Sequence, residues 1–238
     1  ILASSSIAFY YLNKLGVPSS LSQMLYISLL VLVLVSRGSY KFDWIKFDFT
    51  VISWLISPII SLVASIFTYY LLSRKISERS ILSQMKYYKT FILLSSLVTS
   101  YVVGANAIGI LVSAGLVGYD NYFMIATSFA IASSLGILRS SFKPSIVVGF
   151  RITKLGYLGA SSALLGGGVL SEVFTIFGVP ISITQTILGG IIGLSLRNLT
   201  KDVRAQLINV AKGWLYAPVI SAVISLAVFG VIVSVLGL

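Results

Sequence analysis

The sequence predicts an all-α integral membrane protein, built as an inverted-topology repeat around two proline-broken helical hairpins. Three observations predict it. The 238 residues are 57% hydrophobic and only 10% charged, with a mean hydropathy of +1.02, whereas a soluble domain carries about a quarter of charged residues. The apolar residues come in blocks long enough to cross a bilayer, with charges gathered between them. A short text also recurs, Gly16-Val17-Pro18 matching Gly178-Val179-Pro180.

Eight apolar blocks follow in order. Ile1 to Asn13 is short for a crossing and reads as the tail of a truncated helix, and the bulky Ile1 points to a fragment of a longer chain. The others run Pro18–Ser36, Val51–Ser73, Thr90–Leu116, Asn121–Leu138, Gly156–Gly178, Pro180–Leu196 and Trp214–Leu238. About 20 residues per block is enough for roughly 30 Å of hydrocarbon.

The linkers set the orientation. Arg74, Lys75, Arg79, Lys86 and Lys89 stand against the single acid Glu78; Arg139, Lys143, Arg151 and Lys154 have no acid; Arg197, Lys201, Arg204 and Lys212 face only Asp202. Placing these three linkers in the cytoplasm satisfies the positive-inside rule. The Arg37–Thr50 linker and the carboxyl end then fall outside the cell membrane. The net charge of +11 is thereby spent on topology, not on a basic stripe for nucleic acid. Without Cys or His, disulfides, zinc fingers, zincins and imidazole-dependent catalysis are excluded. No carboxylate pair or nucleophile–base pair points to an enzyme, and no metal site or resident cofactor is expected.

The repeat extends beyond its first match. Ser20-Leu21-Ser22-Gln23 agrees with Ser182-Ile183-Thr184-Gln185 at a spacing of 162, and Trp54-x-x-x-Pro58 agrees with Trp214-x-x-x-Pro218 at 160. An odd number of blocks lies between equivalent linkers, so the copies are inverted. Residues 1–75 form the remainder of the first repeat, 76–89 a cytoplasmic basic linker, and 90–238 the second repeat. Transporters of this plan bind substrate near the midplane on broken helices.

Pro18 and Pro180 break the helices, which restart with the proline in the first turn. Each restart aims unpaired amides and a positive dipole end into protein, with Ser19, Ser20 and Ser22, or Ser182 and Thr184, beside them. Such a cluster suits an anion; the alternative is a helix that is only capped and kinked. Asn106, Gln23 and Gln185 lie at membrane depth, as interhelical hydrogen bonds or as ligands. Glu172 is the intramembrane carboxylate, a functional candidate unless it sits at a solvated end. Gly166-Gly167-Gly168 and Gly189-Gly190 allow helices to approach closely.

These residues resemble the inorganic phosphate transporters of the PiT type. Members carry two copies of a signature like Gly-x-Pro-Val-Ser-Thr-Thr-His on re-entrant hairpins and two Gly-Ala-Asn-Asp segments. Gly16–Gln23 and Gly178–Gln185 look like the first, and Gly104-Ala105-Asn106 looks like the second. The resemblance implies re-entrant hairpins and alternating-access phosphate transport coupled to sodium or protons. It also implies Ser20, Ser22, Ser182 and Thr184 as phosphate ligands, with Asn106, Gln23 and Gln185 around the substrate or coupling ion; Glu172 matches no position of the family signatures and is a candidate for those surroundings on its own chemistry. Three departures stand out: the Asp is absent, with Ala107 in its place or a turn's worth of residues deleted, Leu21 and Ile183 replace a Thr, and Gln replaces His in both copies.

The expected partners are therefore inorganic phosphate and the lipid bilayer, with a homodimer left open. The alternative is a homologue that keeps the membrane frame but does not transport, or that selects another oxyanion, because the coupling carboxylate is absent.

Overall fold

The computed structural model describes residues 1–15, 19–35, 43–115, 121–140, 155–196 and 201–236. Among them are eight α-helices and no strand. They are α1 (Leu2–Lys14), α2 (Leu21–Val35), α3 (Trp44–Ser77), α4 (Ile81–Gly115), α5 (Tyr122–Ser140), α6 (Tyr157–Ile176), α7 (Ile183–Ser195) and α8 (Lys201–Leu236). Five of these, α3, α4, α5, α6 and α8, are long and apolar enough to cross a membrane. The chain is an all-α integral membrane protein.

Two departures from the block reading have physical causes. The second and seventh blocks, expected at crossing length, form helices of 15 and 13 residues. At 1.5 Å per residue these reach about 22 and 20 Å, short of a ~30 Å hydrocarbon core. At the seventh block, residues 180–182 are spent on non-helical backbone before α7 begins. The basic stretch 76–89, in contrast, is largely helical: α3 runs to Ser77 and α4 starts at Ile81. Its Lys, Arg, Glu and Gln residues are good helix formers, and Arg74 and Lys75 in the last turn of α3 complement its dipole. Asp43 and Asn121 cap α3 and α5, accepting from the amides of Lys46 (3.0 Å) and Met124 (3.1 Å).

The contacts divide the chain into two compact units, neither of them continuous in sequence. The first comprises Ile1–Phe47, Ala107–Ser145 and Gln206–Leu238; the second comprises Asp48–Asn106 and Ile146–Ala205. In the first, Ala8 and Leu12 of α1, Met24 of α2 and Ala217 of α8 form a buried cluster, with Phe9 and Ile224 against it. Serines lace the same helices. Ser4 shares a hydrogen bond with Ser225, Ser5 with Ser221 (3.0 Å) and Ser28 with Ser221 (2.8 Å), all buried. With lipid as apolar as leucine, small residues and interhelical hydrogen bonds are what bring such helices together.

The second unit solves the same problem with glycine. Ser53, Ser57, Ser61 and Ser65 recur every four residues on α3 and are buried, so they share one face. Against that face lie Gly166 of α6 and Gly189, Gly190 and Gly193 of α7. A methyl on Gly166 would stand 2.8 Å from the Ser65 amide nitrogen, and one on Gly193 would stand 2.8 Å from the Leu62 carbonyl oxygen. The pairs correspond in register. Ser4 stands 162 positions before Gly166 and Ser28 162 before Gly190, while Ser221 and Ser225 stand 160 after Ser61 and Ser65. One seam is bolted by hydroxyl pairs. The other is closed by bare backbone.

Candidate anion-binding site at the hairpin tip

The break between α6 and α7 is built residue by residue. Gly178 adopts φ +69°, a left-handed conformation that glycine takes without steric cost. Its amide donates to the Thr175 carbonyl (2.9 Å), and the Val179 amide donates to the Phe174 carbonyl (3.0 Å). This pair of bonds is a Schellman stop, which ends α6 whatever follows. Replacing Gly178 by Ala is expected to cost about 1 kcal/mol in stability, measurable as a lowered midpoint in thermal unfolding in detergent.

Pro180 lies in the break itself, three residues ahead of α7, and not in the first helical turn as the sequence suggested. The reason is that side chains from other helices hold the extended backbone. The Trp54 indole N–H donates to the Pro180 carbonyl (2.9 Å), and the Asn106 amide group donates to the Ile181 carbonyl (3.1 Å). Ser182 then takes the N-cap position, its hydroxyl oxygen accepting from the Gln185 amide (3.4 Å). Its carbonyl accepts from the Thr186 amide (3.0 Å) and the Thr186 hydroxyl (2.9 Å).

Three successive carbonyls are thus occupied by named donors. The amides of Ile183 and Thr184, at the first two helical positions, have no intrahelical acceptor. The tip therefore presents N–H groups and the positive dipole end with its carbonyls already engaged, which favours an oxyanion over a cation. Ser182 and Gln185 are buried, and Thr184 is half-buried at the helix start.

In the first unit, the described part of the other hairpin carries the same cap. The Ser20 hydroxyl accepts from the Gln23 amide (3.4 Å), and the Ser20 carbonyl accepts from the Met24 amide (3.2 Å). Ser20 and Gln23 are buried and Ser22 is half-buried. The neighbouring Ser19 hydroxyl is buried without a hydrogen-bond partner among the described residues. The helix break assigned to Pro18, with Gly16 and Val17, lies outside the described residues.

Of the remaining candidates, Asn106 is 5% exposed and spends its amide nitrogen on Ile181, so it serves the tip by holding backbone. Glu172 is half-buried on α6, with one carboxylate oxygen enclosed and unpartnered among the described residues. Sequence reasoning missed the roles of Trp54 and Thr186. Trp54 was visible as half of a repeated pair, but nothing local shows what its N–H reaches. No cluster of three metal-ligating side chains occurs among the described residues.

Comparison with known proteins gives the family. The model of the phosphate transporter family matches residues 104–237, more than half of the chain. A protein of Methanocaldococcus jannaschii that bears the name of a phosphate permease is 32% identical, over 87% of this chain and 66% of its own. Proteins of Rhizobium meliloti and Bacillus subtilis, both named as low-affinity inorganic phosphate transporters, are 27% and 24% identical. Those alignments cover 88% and 85% of this chain and 66% and 62% of theirs, so the chain spans about two thirds of the length of these relatives. No solved structure matches. With the family model covering the half of the chain that includes Asn106 and the capped α6–α7 tip, the chain belongs to the phosphate transporter family.

Proposed function

We propose that the chain works as a secondary transporter that moves inorganic phosphate across the cell membrane by alternating access, coupled to sodium or protons. The observation that carries this reading is the α7 tip, where Pro180, Ile181 and Ser182 carbonyls are all engaged and the following amides are left for an anion. Phosphate offers the acceptor oxygens such a tip needs, and the relatives' names point to the same substrate. The spacing of the serine and glycine seams supports the inverted repeat, with 1–75 and 90–238 as its two parts joined by the basic stretch 76–89. In that arrangement the protein sits in the cell membrane with its basic linkers in the cytoplasm.

Ser182 and Thr184 are the phosphate ligands of this tip, and Ser20 and Ser22 are their counterparts. Losing one hydrogen bond to a charged ligand costs about 1.5–3 kcal/mol, or roughly ten- to a hundredfold in affinity. Ser182→Ala and Thr184→Ala, made singly in the complete protein, should lower phosphate uptake into proteoliposomes by about that factor while membrane insertion persists. Undiminished uptake in both variants rules out the assignment.

The second reading, a frame that no longer transports, is favoured by one observation: Ala107 follows Asn106 where the family signature has a carboxylate. Millimolar phosphate separates the two. A ligand that binds the folded state raises its unfolding temperature, so purified protein with no phosphate-dependent shift would favour the frame.

A further inference from the structure

A carboxylate oxygen enclosed at membrane depth calls for a hydrogen-bond donor or a cation. Glu172 has no such partner among the described residues: its Oε2 is buried with nothing to bond, and the ion pair found among those residues joins Lys46 to Asp43. Its place in the second unit follows from the register of α6. Gly168, four residues earlier on the same face of α6, abuts Thr99 of α4, and the Thr99 hydroxyl donates to the Leu164 carbonyl (3.2 Å). Seven residues further along α4, Asn106 reaches Ile181, beyond the end of α6. The two helices therefore run in the same direction, and Glu172 faces α4 about 6 Å past the Thr99 level, short of the ~10 Å that leads to Asn106.

The charged groups on the helices packed against α6 lie toward helix ends. They are Lys46, Asp48, Arg74 and Lys75 on α3, and Lys86 and Lys89 on α4; α7 carries none, and Tyr101 of α4 is 67% exposed. Asn106 adds an oxygen to this helix pair. A carbonyl can be faced only by the NH2 of its side chain, so its Oδ1 is turned away from Ile181 as an acceptor. At the tip, an ionised Glu172 would oppose an incoming anion through low-dielectric surroundings.

We propose that Glu172 is the binding site of the coupling cation, a proton or a sodium ion, and so stands in for the carboxylate missing after Asn106. This rests on the transporter reading above. Neutralising Glu172 removes the repulsion toward phosphate, so anion and cation load together. The test uses the complete protein and its Glu172→Gln and Glu172→Asp variants. Phosphate uptake into proteoliposomes is followed against sodium at constant pH and against pH at constant sodium. Unfolding temperature in detergent is followed along the same two titrations.

The wild type should respond in one of the two arms, in uptake and in unfolding temperature alike. Glu172→Gln should bind phosphate but lose at least tenfold of that response, and Glu172→Asp should keep it with cation affinity weakened severalfold. An unchanged cation response in Glu172→Gln, or in Glu172→Asp if the Gln variant does not fold, overturns the assignment. So does a wild type whose uptake and stability ignore both cations. Absence of phosphate uptake alone defeats the transporter reading, and the cation-dependent unfolding temperature then still decides the role of Glu172.

Discussion

Gly189→Val leaves little folded protein. A Cβ at position 189 would press on the Pro58 carbonyl oxygen and stand 2.6 Å from the Pro58 Cα and 2.8 Å from its carbonyl carbon. All of these are backbone atoms, so no side-chain rotation relieves the contact. Overpacking a well-fitted site costs about 1–3 kcal/mol even where side chains can move, and here α7 must draw back from α3. Gly190 and Gly193 meet the same face, so the hairpin cannot re-seat by a small rotation. The monodisperse fraction recovered in detergent is expected to fall at least tenfold. Gly230→Ala, at a position with nothing within 4 Å, should match the wild type. Equal recovery of Gly189→Val would mean that the seam tolerates separation.

Asn106→Asp should abolish most phosphate uptake while the protein still folds. The side chain keeps its shape but exchanges an NH2 donor for an oxygen facing the Ile181 carbonyl, 3.1 Å away in the wild type. Leaving a buried carbonyl unpaired costs about 1–3 kcal/mol, more when a charge replaces its partner. The strain falls on the residue immediately before the capping Ser182. Uptake at limiting phosphate is expected to drop more than tenfold, and Asn106→Ala should fall between the two proteins. If Asn106→Asp takes up phosphate normally, the clamp on Ile181 is not what orients the tip.

How much of this was legible in the sequence depends on whether the cause was local. The long helices announce themselves through hydropathy, and the end of α6 through Gly178, whose left-handed turn is a property of that residue. The start of α7 was misplaced because the backbone of Pro180 and Ile181 is held by Trp54 and Asn106, 126 and 75 positions away. The glycine runs were readable as close approaches, but their partners Ser61 and Ser65 were not, since four-residue spacing on a long helix fits any buried face. Nor did text matching reveal that Ser4 and Ser28 correspond to Gly166 and Gly190. The seam preserves a fit between helices, and the residue types on one side of it have changed.

The hydroxyl pairs of the first unit also bear on biosynthesis. Ser4, Ser5 and Ser28 reach their partners on α8 across 221, 216 and 193 positions of chain. At about 5–20 residues per second on the ribosome, roughly 10–40 s separate the emergence of these partners. Throughout that interval Ser4, Ser5 and Ser28 lack the hydroxyls they meet in the folded protein, so this seam closes only once α8 has been made.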